Sequence, residues 1–112
     1  MPKHPRFEIQ RDRKSELRFN LTAGNGQVVL SSEGYKSMAS CKNGIASVQK
    51  NCVDDVCFDR QVAKNGKHYF ALLARNKQVI GASQMYSSKA SMENGIRSVR
   101  ANAPRAEIHD RG

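Results

Sequence analysis

The strongest constraint on this chain is that it carries one long motif twice. The stretch Tyr35-Lys-Ser-Met-Ala-Ser-Cys-Lys-Asn-Gly-Ile-Ala-Ser-Val-Gln-Lys-Asn51 returns, 51 residues later, as Tyr86-Ser-Ser-Lys-Ala-Ser-Met-Glu-Asn-Gly-Ile-Arg-Ser-Val-Arg-Ala-Asn102. Of the 45 ungapped pairs from Phe7/Phe58 to Asn51/Asn102, 19 are identical. A repeat of this length is one supersecondary unit that needs a neighbour to bury its apolar face. With 112 residues there is room for one compact domain. Residues 1–112 are therefore expected to form a single domain of two repeats, at about 7–52 and about 58–108.

The order of elements follows from periodicity. Phe7 to Gln10 alternates apolar and polar, and Leu17, Phe19, Leu21 and Ala23 line one side of a second alternating run. Gly24-Asn25-Gly26 supplies the positive φ of a tight hairpin. Val28-Val29-Leu30 centres a third strand. A helix follows, with Ser37 suited to cap it and Cys41, Ile45, Val48 and Cys52 at helical spacing on one face. Gly44 falls on that same face. A glycine there costs roughly 0.5–1 kcal/mol in propensity against alanine, so close approach to a neighbouring surface is the reason to expect it. The second half repeats the series: Phe58 to Ala63, a turn at Lys64-Asn65-Gly66-Lys67, a strand with Phe70, Leu72 and Ala74 on one side, a turn at Arg75-Asn76-Lys77, a strand from Gln78 to Ser83, and a helix from about Ser88 to Ala101. Its buried face is Met92, Gly95, Ile96, Val99 and Ala103. Pro104 ends it. Arg105 to His109 can form one more strand, with Val53 to Cys57 as its counterpart in the first half. Each half reads β-β-β-α-β, and two such halves joined through their strands make an α+β fold: one antiparallel sheet with both helices on one face.

The run Ser83-Gln84-Met85-Tyr86-Ser87-Ser88-Lys89-Ala90, then Asn94-Gly95-Ile96 and Ser98-Val99, resembles the motif of the YegP-like bacterial proteins. Ser32-Glu33-Gly34-Tyr35, Ala39, Asn43-Gly44-Ile45 and Ser47-Val48 carry it in the first half. The resemblance implies tandem β-β-β-α-β units in one sheet, with the terminal strands exchanged between them. In single-repeat relatives two chains pair instead, so a monomer is expected here, its two repeats replacing a dimer. That family is one of unknown function, and the likeness implies no mechanism. Lys77 stands where the pattern has the glycine of an Asn-Gly turn, and Gln84 replaces a usual glutamate. Cys52-Val-Asp-Asp-Val-Cys57 replaces a linker resembling Asn102 to Ala106, which leaves open whether the first exchanged strand forms.

Charge and cysteine content narrow the function classes. The net charge is +9, divided as +5 in residues 1–51 and +4 in residues 52–112. The sign points to an acidic partner, such as nucleic acid, an anionic surface or an acidic protein; the even spread suits a solubilising surface equally well. Apolar runs are too short to span a membrane, and Met-Pro-Lys-His-Pro lacks the apolar core of a signal peptide, so a cytoplasmic location is expected. Cys41, Cys52 and Cys57 are odd in number, which argues for reduced thiols over a disulfide framework. With His68, Cys52 and Cys57 still lack the fourth ligand of a zinc site. No metal or cofactor is expected.

No catalytic constellation is legible. His4, His68 and His109 sit in no local motif with a nucleophile, and Asp54-Asp55 reads as a solvated turn. The expected function is a non-catalytic binding or interaction module. An alternative is single-stranded nucleic-acid binding on the sheet face away from the helices, where Arg18, Asn20 and Thr22 face outward in one half and Tyr69, Ala71 and Leu73 in the other. Arg11, Arg13, Lys14, Lys64 and Lys67 in the flanking turns complete that candidate surface. A protein-interaction site at the Tyr69/Leu73 patch or an open sheet edge competes with it, and an enzyme of unknown class ranks third. The repeat motif itself is Tyr35, Asn43, Gly44, Ile45 and Val48, matched by Tyr86, Asn94, Gly95, Ile96 and Val99. Its asparagines and tyrosines are expected to bond backbone and anchor the strand-to-helix corners, or else to line one binding site per repeat.

Overall fold

Alternating side chains and two short turns shape each half of the sheet. The computed structural model describes residues 4–110. Three strands, β1 (Arg6–Arg11), β2 (Leu17–Thr22) and β3 (Val28–Ser32), form an antiparallel meander that leads into helix α1 (Met38–Asn51). The second half gives β4 (Phe58–Val62), β5 (His68–Leu73), β6 (Val79–Ala82), α2 (Lys89–Asn102) and a last strand, β7 (Glu107–Asp110). The seven strands form one sheet in the order β4-β5-β6-β3-β2-β1-β7. The halves meet where β3 and β6 pair antiparallel, Ser31 opposite Ala82. Those two residues are 51 apart, so a half-turn about an axis through that pair carries one repeat onto the other.

Both helices lie on one face, as the patterning predicts. Cys41, Gly44, Ile45 and Val48 of α1 and Met92, Gly95, Ile96 and Val99 of α2 are buried against Phe7, Ile9, Phe19, Leu21, Phe70 and Leu72. Helix α1 packs on β2 and also reaches β5 and β6, while α2 packs on β5 and reaches β3. The core is therefore shared across the seam, and neither half is complete alone. Ser37 and Ser88 cap the helices, each accepting a bond from the amide three residues on at 3.1 Å.

The exchange of terminal strands is one-sided. Strand β7 crosses from the second repeat and adds to β1 in parallel, with Phe7 opposite Ile108, so the sheet is antiparallel except at that edge. The predicted counterpart, Val53 to Cys57, is not a strand. It forms a 3-10 turn, Asp55–Cys57, capped by the Asp54 side chain, which accepts from the Val56 amide at 3.3 Å. A shift of 51 residues explains the difference. The counterparts of β7 are residues 56–59, and Phe58 and Asp59 are already the start of β4, paired with Leu72 and Ala71.

Candidate functional site

Arg18 and Tyr69 alternate with the buried Phe19 and Phe70 and so lie on the sheet face away from the helices, but the basic and aromatic residues singled out from sequence do not form one surface. The half-turn that relates the repeats places the Asp12–Glu16 turn and the Ala63–Lys67 turn at opposite ends of the sheet. Arg11, Arg13, Lys14 and Arg18 gather at one corner; Lys64, Lys67 and Tyr69 gather at the diagonal one, while Leu73 lies at the far end of β5, opposite Val79. At the first corner the Arg18 guanidinium hydrogen-bonds Asp12 at 2.8 Å and holds that carboxyl below its usual range. Arg11 donates to the Ser15 carbonyl at 3.2 Å. Between the corners, Arg6 lies 3.5 Å from Glu8, and Asp59 accepts from Gln61 at 2.7 Å. Glu8, Asp12 and Asp59 interrupt the positive charge between the two corners.

The repeat motif builds a matched pair of clefts on the helix side. In each, a tyrosine ring lies under the helix glycine. Tyr35 stacks on Phe19 with centroids 6.1 Å apart, and Tyr86 stacks on Phe70 at 6.5 Å. Their main chains pair with the strands, Tyr35 with Leu17 and Tyr86 with His68. This is the corner anchor expected of them. Burial raises the Tyr35 hydroxyl above its usual pKa. One cleft, of about 290 Å³, is lined by Tyr35, Ser40, Asn43, Gly44 and Ser47 of the first repeat, with Gln78 and Ile80 of the second. Its twin, of about 320 Å³, is lined by Tyr86, Ser91, Asn94, Gly95 and Ser98, with Gln27 and Val29 from the first repeat. Each cleft thus needs both repeats. The linings mix amides, hydroxyls and ring edges with apolar side chains, Ala74, Val79 and Ile80 in the first cleft and Val29 in the second.

Asn43 and Asn94 do not hold the helix to the sheet, contrary to expectation. Both are exposed, and Asn94 accepts from Arg97 at 2.9 Å. The buried asparagines are the last ones of the motif, Asn51 and Asn102. Each donates to a carbonyl one turn back, Ser47 at 2.8 Å and Ser98 at 2.7 Å. A second matched pair also went unforeseen. The Ser32 and Ser83 hydroxyls accept from the amides of Phe19 and Phe70 at 2.9 and 3.0 Å, and so close the sheet where β3 and β6 end. Identity in both copies was the available signal for all four. Ile45, Val48, Ile96 and Val99 are core residues.

The titratable groups do not converge. His68 is on β5 and His109 on β7, near opposite edges of the sheet. His4 is exposed. Cys41, Cys52 and Cys57 are buried free thiols, and burial pushes Cys41 and Cys52 up. Among the described residues no three His, Cys, Asp or Glu side chains group as metal ligands. No helix there is long and apolar enough to cross a membrane.

The largest asymmetry between the repeats is at the sheet edges. Strand β1 is covered by β7, whereas β4, its equivalent, pairs only with β5 among the described residues. Around β4 stand three exposed valines: Val53, Val56 and Val62 at 61, 81 and 63% relative exposure. Arg60, at mid-strand, is held by Glu93 at 2.6 Å and Asp55 at 2.9 Å; its hydrogen bonds, and then its charge, keep both carboxyls low. Ala63 donates inward to Lys67 at 2.8 Å, and His68 bonds Tyr86 on the far side of β5. Antiparallel pairs alternate in which strand edge they face, so Phe58, Arg60 and Val62 turn their main-chain groups outward. The Phe58 amide is already taken by the Asp55 carbonyl. Among the described residues, this leaves the amides of Arg60 and Val62, and three carbonyls, open to a further strand.

Comparison with known proteins agrees with this architecture. A family model described as a domain of unknown function (DUF1508) matches twice, at residues 12–59 and 63–110. A UPF0339 protein of Acinetobacter baylyi is 52% identical over 104 residues, covering 93% of this chain and 94% of the relative. The UPF0339 protein YegP of Escherichia coli O157:H7 is 46% identical over 104 residues, covering 93 and 94%. Among solved structures, the solution NMR structure of Escherichia coli YegP, a protein of unknown function, superposes with TM-score 0.92 at 41% identity, covering 99% of this chain and 96% of that one. A UPF0339 protein of Shewanella oneidensis gives 0.89 at 44% identity, covering 95 and 90%.

Proposed function

The chain belongs to the DUF1508 family, and from that premise we propose that it acts as a non-catalytic interaction module whose docking element is the open edge of β4. One observation carries the reading: the equivalent edge of β1 is filled by β7, and that of β4 is left with free amides and carbonyls between exposed valines. An unpaired edge is a template for strand addition, where main-chain bonds supply affinity and flanking side chains supply selectivity. The twin clefts fit a non-catalytic protein, since amides and hydroxyls bind without titrating near neutral pH.

A photo-crosslinking residue placed at Val62, with controls at Tyr69 and Lys14, tests this in cells that express the chain. Adducts from position 62 that vanish with a charged substitution elsewhere on β4 support edge docking. Adducts from Tyr69 or Lys14 alone overturn it. The second reading, single-stranded nucleic acid on the uncovered face, draws support from Tyr69 and Arg18 lying on that face with basic turns at its ends. It requires a ligand that bridges diagonal corners. Titration of labelled single-stranded RNA at two salt concentrations checks it: binding that weakens steeply with salt supports it, and absence of binding at low salt removes it.

A further inference from the structure

Resting on that reading of β4, we infer that the strand which docks there is β4 of a second copy of this chain, paired antiparallel about a twofold axis at Arg60. The expected monomer, with two repeats replacing a dimer, concerns the contact across β3 and β6; the contact inferred here is at the far edge of the sheet.

Three features of β4 are self-complementary in this register. The first is main-chain bonding. With Arg60 opposite its own copy, Phe58 falls opposite Val62. The two Arg60 residues exchange amide-to-carbonyl bonds, and each Val62 amide reaches a Phe58 carbonyl. The return bond, from the Phe58 amide to the Val62 carbonyl, is not made, because that amide is already bound to Asp55. The second is apolar cover. Val56 and Val62 stand at opposite ends of β4, and antiparallel pairing brings the Val62 end of one copy beside the Phe58 and Val56 end of the other, twice. The third is charge. Asp54 and Asp55 precede β4 and Lys64 follows it, so each acidic turn of one copy meets a basic turn of the other. The one like pair, Arg60 against Arg60, is neutralised in advance because each guanidinium is bound to Glu93 and Asp55. A twofold contact of this kind closes on itself and does not propagate into a fibre.

A five-residue strand pair, roughly 17 Å long, buries less than a standard interface. The dimer should therefore be concentration-dependent. Sedimentation equilibrium from ~1 μM to ~1 mM, with the intact chain, tests this. The expected result is a monomer at the dilute end and a dimer at the concentrated end. Val62→Lys should remain monomeric throughout with an unchanged melting temperature, since Val62 is exposed in the single copy. The register is checked by the pair Asp59→Cys and Gln61→Cys in one chain. These positions face each other across the twofold axis as a non-hydrogen-bonded pair, about 4.5 Å between Cα atoms, and should give a disulfide-linked dimer on mild oxidation. A chain that stays monomeric to the top of the range overturns the inference, and crosslinking from Val62 to another protein would then leave edge docking standing. A dimer that survives Val62→Lys overturns the surface, and one that fails to form the disulfide overturns the register.

Discussion

Replacing Gly95 with alanine opposes two effects of similar size, and the geometry decides between them. Alanine improves helix propensity by about 0.8–1.0 kcal/mol at an interior position. A Cβ at Gly95, however, would fall well inside contact with the Tyr86 hydroxyl, 2.8 Å from Tyr86 Cζ and 3.2 Å from Phe70 Cε2. The hydroxyl is the far end of a side chain, but the ring cannot swing away cheaply. It is stacked on Phe70, and its main chain is fixed to His68. Overpacking of this kind costs about 1–3 kcal/mol. The expected net loss for Gly95→Ala is about 1 kcal/mol, or a drop in Tm of about 4 °C for a domain of this size. Gly44→Ala should behave alike, because its Cβ would meet Tyr35 in the same way. Tyr86→Phe removes the nearest atom, so it should restore part of the loss in the Gly95→Ala background. Urea denaturation of the four corners of that cycle reads the coupling. A Gly95→Ala variant more stable than the parent by the full propensity difference would refute the close packing of helix on tyrosine.

Other outcomes follow from particular residues. Lys77 has φ +70° where its repeat counterpart Gly26 has +87°, so Lys77→Gly should stabilise the protein by about 1 kcal/mol; a lower urea midpoint would contradict this. Asp12, Asp55 and Glu93 have folded pKa values below their ordinary ones. Their contribution is therefore complete above about pH 4.5 and is lost as pH falls through the lowered values. Thermal melts in low salt should show a declining acid limb below that pH, and Arg60→Gln should flatten the share due to Asp55 and Glu93. Cys41, Cys52 and Cys57 are buried and should react with a thiol reagent only on unfolding; rapid labelling of the native chain would contradict the core.

The fold was largely legible because both periodicities are written twice. The alternation of Leu17, Phe19 and Leu21 returns in Phe70 and Leu72, and the glycine on the apolar helix face returns at the same place. Two copies turned an ambiguous Asn-Gly dipeptide into a helical position. What was not legible is where the repeats differ in space. The segment from Val53 to Cys57 looks like a strand counterpart, but whether it pairs depends on where β4 begins, and that is set by the pairing of Phe58 with Leu72. The separation of the basic residues into diagonal corners was hidden for a similar reason. It follows from the antiparallel pairing of β3 with β6, a long-range contact that composition does not carry. Asn51 and Asn102 were overlooked because a terminal helix asparagine normally reads as a solvated cap, and only packing shows it buried.

The measurement that bears most directly on β4 as the docking edge is residue-resolved amide exchange as a function of protein concentration. At low concentration the Arg60 and Val62 amides should exchange rapidly, while the Ala63 amide, bonded to Lys67, stays protected. As concentration rises, Arg60 and Val62 should gain protection together, with Lys14 and Lys67 unchanged. Protection that appears instead at the basic turns or along the uncovered face, with Arg60 and Val62 still exchanging freely, would contradict the account.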